Sequence, residues 1–182
     1  MAVLGVIPAR GGSKRFPGKN IAPFRNRPLI AWTILAAQQA ELDTLICSTD
    51  DEEIEIIALS YGCRAIKRPA HLASDHASCE AVLRHALGLF PHETVVLLQP
   101  TSPLRLASDI DDCLAISMRS GQPVVSYCGR KKNGAIYVAP SDWIQAHEFT
   151  DPHLAYFMPK ARSLDIDYPK DIDDFLSGNS AP

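Results

Sequence analysis

The chain predicts an α/β fold of three layers, α/β/α, with a mostly parallel central sheet. Two observations carry that expectation. Short apolar runs alternate in regular order with segments of helical periodicity, the pattern of a parallel sheet covered on both faces. The polar, glycine-bearing stretches follow directly after the apolar runs, where such sheets bind ligands.

Taken in order, the first strand is 3–8, and a basic loop follows it. Pro28 suits the first position of a helix whose apolar face is Leu29, Trp32, Leu35 and Ala36. The second strand is 44–48. Asp50 or Asp51 caps a helix over 52–61, which Gly62 closes. A third strand covers 63–67. Ser78 opens a helix to about residue 88, the fourth strand is 94–98, and Ser108 caps a helix from 109 to about 119. Strands five and six cover 124–128 and 135–139, and Pro169 begins the last helix. Residues 1–176 read as one domain and 177–182 as a frayed tail.

The net charge of −3 over 182 residues argues against a dedicated nucleic-acid binder, whose footprint is strongly basic. The five cysteines (47, 63, 79, 113 and 128) are odd in number and include no CxxC pair. They predict buried thiols in a reducing compartment, not a zinc knuckle or a disulfide framework. The first apolar run breaks at Pro8, so no signal peptide is expected, and no apolar segment is long enough to span a membrane. The expectation is a cytoplasmic protein.

The densest chemistry lies in Pro8-Ala9-Arg10-Gly11-Gly12-Ser13-Lys14-Arg15-Phe16-Pro17-Gly18-Lys19-Asn20. Glycines there let backbone N–H groups approach a ligand, and Arg10, Lys14, Arg15 and Lys19 add full charges. The loop is neither GxxxxGK[ST] nor GxGxxG, yet glycine, cation and amide converge beside a buried strand, which points to a nucleotide or polyphosphate. Gln99-Pro100-Thr101-Ser102-Pro103-Leu104-Arg105 follows the fourth strand. Its prolines stiffen the backbone and Arg105 offers a fork for an anion, although a proline-rich turn explains the segment equally well. Asp165-Ile166-Asp167 places two carboxylates on one face of an extended segment, suited to Mg²⁺ shared with substrate phosphates or to an acidic turn before Pro169. Asn133-Gly134 reads as a tight turn before a strand, with its amide free for binding or turn-making. Arg68-Pro69 with Asp75, His76 and Ser78 forms a fifth group, in which Arg68 leaves a strand end within reach of a ligand and His76 reads as a loop histidine with no partner.

These segments, in this order over about residues 3–175, resemble the acylneuraminate cytidylyltransferases, which make CMP-activated sialic and related nonulosonic acids. The resemblance implies a Rossmann-like nucleotidyltransferase fold and transfer of CMP from CTP to the anomeric hydroxyl of a sugar acid, with release of pyrophosphate. It implies that Arg10, Gly11, Gly12, Ser13, Lys19, Asn20, Arg68 and Ser78 bind the nucleotide. Gln99, Thr101, Ser102, Arg105 and Asn133 would meet the sugar acid, and Asp165 and Asp167 would hold Mg²⁺. Lys19, Arg10 and Asp167 would be catalytic. The implied partners are CTP and the acid, with no nucleic acid and no membrane. Arg15-Phe16 is more similar to the pseudaminic acid branch than to the sialic acid one.

The family's homodimer uses an excursion that this chain shortens to four residues, 129–132, so most of the usual dimerisation element is missing. Two alternatives stand beside the main reading. One is a nucleotide-binding module with impaired catalysis; the other is a cytidylyltransferase for a smaller acid, such as 3-deoxy-manno-octulosonate or a phosphonate.

Overall fold

The computed structural model describes residues 2–178; the predicted tail beyond Gly178 lies outside the described residues. In chain order the strands are β1 Val3–Pro8, β2 Pro23–Phe24, β3 Arg27–Pro28, β4 Thr44–Thr49, β5 Arg64–Lys67, β6 Thr94–Leu98, β7 Val124–Cys128, β8 Lys131–Pro140 and β9 Leu154–Phe157. The α-helices are α1 Leu29–Ala37, α2 Glu52–Ser60, α3 Cys79–Leu89, α4 Ala107–Ser120, α5 Ser141–Ala146 and α6 Pro169–Leu176.

Seven strands form one sheet in the order β5-β4-β1-β6-β8-β7-β9, and β2 pairs with β3 in a small antiparallel ribbon. β5, β4, β1 and β6 run parallel. β8 is antiparallel to both β6 and β7, and β9 returns parallel to β7. The sheet is thus mostly parallel, with one reversed strand inside it.

Alternation along the central strands sorts side chains into two cores. Val3, Ile7, Val96 and Leu98 meet Ile30, Ile34, Ile54, Ala58 and Ile110 from α1, α2 and α4. Leu4, Val6, Val95 and Leu97 meet Leu83, Leu87 and Ile144 from α3 and α5 on the other face. Both faces being covered explains why β1 and β6 read as continuous apolar runs. A third cluster joins Phe24 of the ribbon to Leu29, Ile166 and Ile172, with Phe16, Trp32 and Phe175 packed against it. It anchors the extended 163–168 segment beside the sheet edge that bears the glycine loop.

Local chemistry sets the ends of the helices. The Asp51 carboxylate accepts the N–H groups of Glu53 (2.9 Å) and Ile54 (3.0 Å), and Glu52, Glu53 and Glu55 favour the positive end of α2. Ser78 caps α3 by accepting the Ala81 N–H at 3.1 Å. α4 differs from the expectation. It starts at Ala107, and its cap is Asp109, which reaches back to the Leu106 N–H at 2.9 Å, not Ser108.

Asn133-Gly134 is not a turn either. Both residues lie within β8, at the register shift opposite Val125–Tyr127, and the turn is the two-residue link 129–130. Gly129 takes a φ of 57° there, which a side chain disfavours. The sequence pattern also missed β9, α5 and the ribbon. Each is short, and their residues show no clear period.

Arg105 locks the loop after β6. Its side chain is buried at 3% exposure, and it donates to Gln99 O (2.6 Å), Ser102 O (3.1 Å), Thr33 Oγ1 (2.8 Å) and, in a short contact, Ala135 O. Burial pushes this guanidinium down to about 9, opposed by Asp109, so it remains charged at neutral pH. The variant Arg105→Ala leaves several buried acceptors without a donor and is expected to lose at least about 3 kcal/mol in urea unfolding. A loss below about 1 kcal/mol would contradict this role.

Candidate functional site at the glycine loop

The loop after β1 is held from below. Gly11 donates its N–H to Asp50 at 3.1 Å, and a Cβ at Gly11 would collide with the Asp51 side chain. Asn20 is buried and donates to Arg10 O at 3.0 Å, so its amide fixes the loop's backbone. Gly18 takes a φ of 68° at the entry to a short helical turn, which accounts for a glycine there. Gly12 faces open space.

The four cations of the loop divide between two carboxylates. Arg10 and Lys14 both reach Asp75, each at 2.5 Å. Lys19 reaches Asp167 at 3.0 Å and Arg15 reaches it at 3.1 Å. Hydrogen bonds from Lys14 and then Arg10 hold the Asp75 carboxyl down at about 2. The sequence groups Asp75 with Arg68, His76 and Ser78 but assigns it no role; its signal is a carboxylate in a polar loop following Arg68. Lys19 is the most enclosed of these cations, with its side chain 13% exposed.

Two adjoining cavities open at this loop. One, of about 420 Å³, is lined by Arg10, Ser13, Lys19, Asn20, Gln99 and Thr101 among others. The other, of about 180 Å³, shares Pro8, Arg10, Asp75 and Gln99 with it and adds Arg68 and Ser78. Arg68 is buried and donates to Ser48 Oγ (3.1 Å) and Ser48 O (2.6 Å), which fixes it at the end of β4. Burial pushes its guanidinium down, and Asp50 opposes that shift. The expected nucleotide residues therefore converge, although the Ser78 hydroxyl is engaged in its cap.

The carboxylates follow from the third cluster. Ile166 is fully buried in it and donates its N–H to Thr101 O at 2.9 Å. Its neighbours Asp165 and Asp167 consequently face away from the cluster. Thr101 donates to Asp165, while crowding by protein atoms and the nearby charge of Asp167 raise the Asp165 carboxyl. Among the described residues no three His, Cys, Asp or Glu side chains gather to hold a metal ion unaided.

The expected sugar-side residues separate. Gln99 and Thr101 line the main cavity. Asn133 lines a different cavity and its amide is engaged: Oδ1 accepts from Ser126 Oγ (2.6 Å) and Ala135 N (3.2 Å), and Nδ2 donates to Ser163 Oγ (3.1 Å). Ser102 and Arg105 are corrections. Ser102 is 1% exposed with an unpartnered hydroxyl, and Arg105 points inward to the acceptors named above. Neither offers a side chain to a ligand, because the two prolines hold this stretch against the sheet.

Such a fold, with a cation-rich glycine loop at the carboxyl end of its first strand, defines a nucleotide-binding α/β protein of the nucleotidyltransferase type. A cytidylyltransferase family profile matches residues 4–137. The chain is 33% identical to the N-acylneuraminate cytidylyltransferase of Escherichia coli O18:K1:H7, over 94% of this chain and 50% of that protein. It is 32% identical to the CMP-N,N'-diacetyllegionaminic acid synthase of Legionella pneumophila, over 94% of this chain and 93% of that one. The pseudaminic acid cytidylyltransferase of Campylobacter jejuni is 41% identical over 57% of this chain and 48% of its own length.

The chain belongs to the cytidylyltransferase family. It spans about half the length of the Escherichia coli relative. The first two alignments run over 214 and 216 residues yet take up only 94% of this chain, so both relatives carry residues without a counterpart here. A CMP:2-keto-3-deoxy-manno-octonic acid synthetase solved with CTP shares the fold, with a TM-score of 0.80 over the whole of both chains at 16% identity. Rv0371c of Mycobacterium tuberculosis, solved with manganese, gives a TM-score of 0.75 over 97% of this chain and 99% of its own, also at 16% identity. No helix among the described residues is long and apolar enough to cross a membrane.

The pairing with Asp75 sets a competition with any phosphate. Asp75→Asn frees Arg10 and Lys14 and is expected to tighten binding of CTP several-fold in a calorimetric titration; weaker binding would show that Asp75 supports the ligand directly. Asp165 provides a stability test. Its folded value lies above its unfolded one, so the ionised form costs stability at neutral pH, and the cost disappears as pH falls through the raised value. Asp165→Asn is expected to melt higher than the natural chain at pH 7, with the gain fading in acid. A lower melting temperature at pH 7 would contradict the sign.

Proposed function

We propose that the chain transfers CMP from CTP to the anomeric hydroxyl of a nonulosonic acid and releases pyrophosphate. The observation that supports this reading best is the gathering of the loop's four cations on one cavity, two of them, Lys19 and Arg15, paired with Asp167. Arg10, Ser13 and Lys19 would hold the triphosphate, with the backbone at Gly11 and Gly12 allowing close approach. Arg68, Ser78 and Asn20 would border the nucleoside. Gln99 and Thr101 would meet the acid, and Asn133 would shape its side of the site.

In the reaction, the hydroxyl oxygen bonds to the α-phosphorus, the bond from that phosphorus to the β-phosphate bridge breaks, and the hydroxyl proton passes to water. Negative charge grows on the departing pyrophosphate. Lys19, the most enclosed cation of the loop, stabilises that charge. Positioning and electrostatics suffice for such a transfer, and no covalent nucleophile is needed.

Asp165 and Asp167 fit a divalent cation, which we take to be Mg²⁺. They are hard oxygen donors, too few to enclose an ion, which suits a cation that shares its remaining positions with phosphate oxygens and water. Such a cation, when bound, neutralises charge on the phosphates. Asp167 would exchange its two cationic partners for it, leaving Lys19 and Arg15 free for phosphate.

Pyrophosphate release from CTP tests the reading. Lys19→Ala is expected to lower kcat by about 10²–10³, and Asp167→Asn to raise the metal concentration needed for half-maximal rate. Full turnover by both variants would refute the assignment.

A further inference from the structure

A further cavity, of about 600 Å³, is larger than the one at the glycine loop, and Asp165 and Asn133 are among its lining residues. Asp165 also bonds to Thr101, which lines the main cavity, so the two spaces meet at this pair. Its volume falls in the usual range for small-ligand sites, about 300–1,000 Å³.

Leu104, Leu164 and Phe175 give this cavity an apolar floor, and three lysines stand around it: Lys131, Lys132 and Lys160. Lys132 is engaged, because it donates to Phe149 O at 2.6 Å. Lys131 and Lys160 are exposed, and their side chains form no hydrogen bond or ion pair among the described residues. They come from separate segments. Lys131 opens β8 just after the tight turn. Lys160 begins a helical turn, Lys160–Arg162.

That second segment is rigidly held. Arg162 forms a forked pair with the buried Asp109 carboxylate, at 2.7 and 3.0 Å, and Tyr156 donates to the same carboxylate at 3.0 Å. Asn133 ties Ser163 to β8. The backbones that carry the two free cations are therefore fixed, while their four-carbon stems can swing over the cavity.

We propose that Lys131 and Lys160 are the acceptor's anion clamp, both supplied by this one chain. The proposal rests on the cytidylyl-transfer reading and deepens it. The fitting ligand is a sugar acid whose carboxylate meets the lysines and whose apolar substituent, such as an N-acyl group, covers the floor. Asp165 repels that carboxylate and so favours the orientation that sends it toward the lysines. This arrangement draws only on residues of this one chain.

The test titrates the full chain separately with CTP and with N-acetylneuraminate, and uses neutral N-acetylmannosamine as a control. The expected result is that Lys131→Ala/Lys160→Ala binds N-acetylneuraminate at least tenfold more weakly than the natural chain. Its CTP affinity, its melting temperature and its response to N-acetylmannosamine should stay unchanged. Equal binding of the acid by both proteins, or none by the natural chain while CTP binds, overturns the clamp. Failure of the natural chain to bind CTP would overturn the nucleotide reading instead, and the acid titration would still decide the clamp.

Discussion

One buried guanidinium sets the geometry on which the site depends. Arg105 gathers α1, the loop after β6 and the middle of β8 by donating to acceptors in each. Removing a charge from water is costly unless its donors are satisfied, so this arrangement holds only when those acceptors converge. Their convergence places Gln99 and Thr101 on the main cavity wall. Thr101 then accepts the Ile166 N–H and donates to Asp165, which sets the carboxylate segment. A residue that offered a fork for an anion thus serves as the internal brace that positions other residues for one.

The site's electrostatics are arranged in advance. A loop with four cations would repel itself if left open. Here each pair of cations shares one aspartate, Asp75 or Asp167. Charged pairs near water contribute little to stability, so their value lies in ordering the loop rather than in holding the fold. If the loop takes a triphosphate as proposed, that ligand displaces the Asp75 carboxylate, so the order costs affinity and gains a loop already held in shape.

The central strands and the glycine loop were legible in the sequence because burial on both faces demands unbroken apolar runs. Arg68 stood out for a related reason: it directly follows the end of β5. The role of Asp75 was not legible, because a carboxylate in a loop looks the same whether it faces water or a distant cation. Arg105 and Ser102 were misplaced because an extended, proline-bound segment does not disclose which side chains turn inward. The role of Asn133 depended on a strand reversal, and Asn-Gly pairs in a bulge resemble those in a turn. The apolar floor of the second cavity combines residues from three distant segments, so no local pattern could announce it.

The account stands or falls on a phosphodiester bond between CMP and a sugar acid. Phosphorus NMR of the chain with CTP, Mg²⁺ and, in turn, N-acetylneuraminate, pseudaminate, N,N'-diacetyllegionaminate and 3-deoxy-manno-octulosonate observes that bond directly. The predicted result is one new phosphodiester resonance that grows with that of pyrophosphate, for an N-acylated acid, and none without acid. An unchanged CTP spectrum with every acid would contradict it and favour a module that binds nucleotide without transferring it.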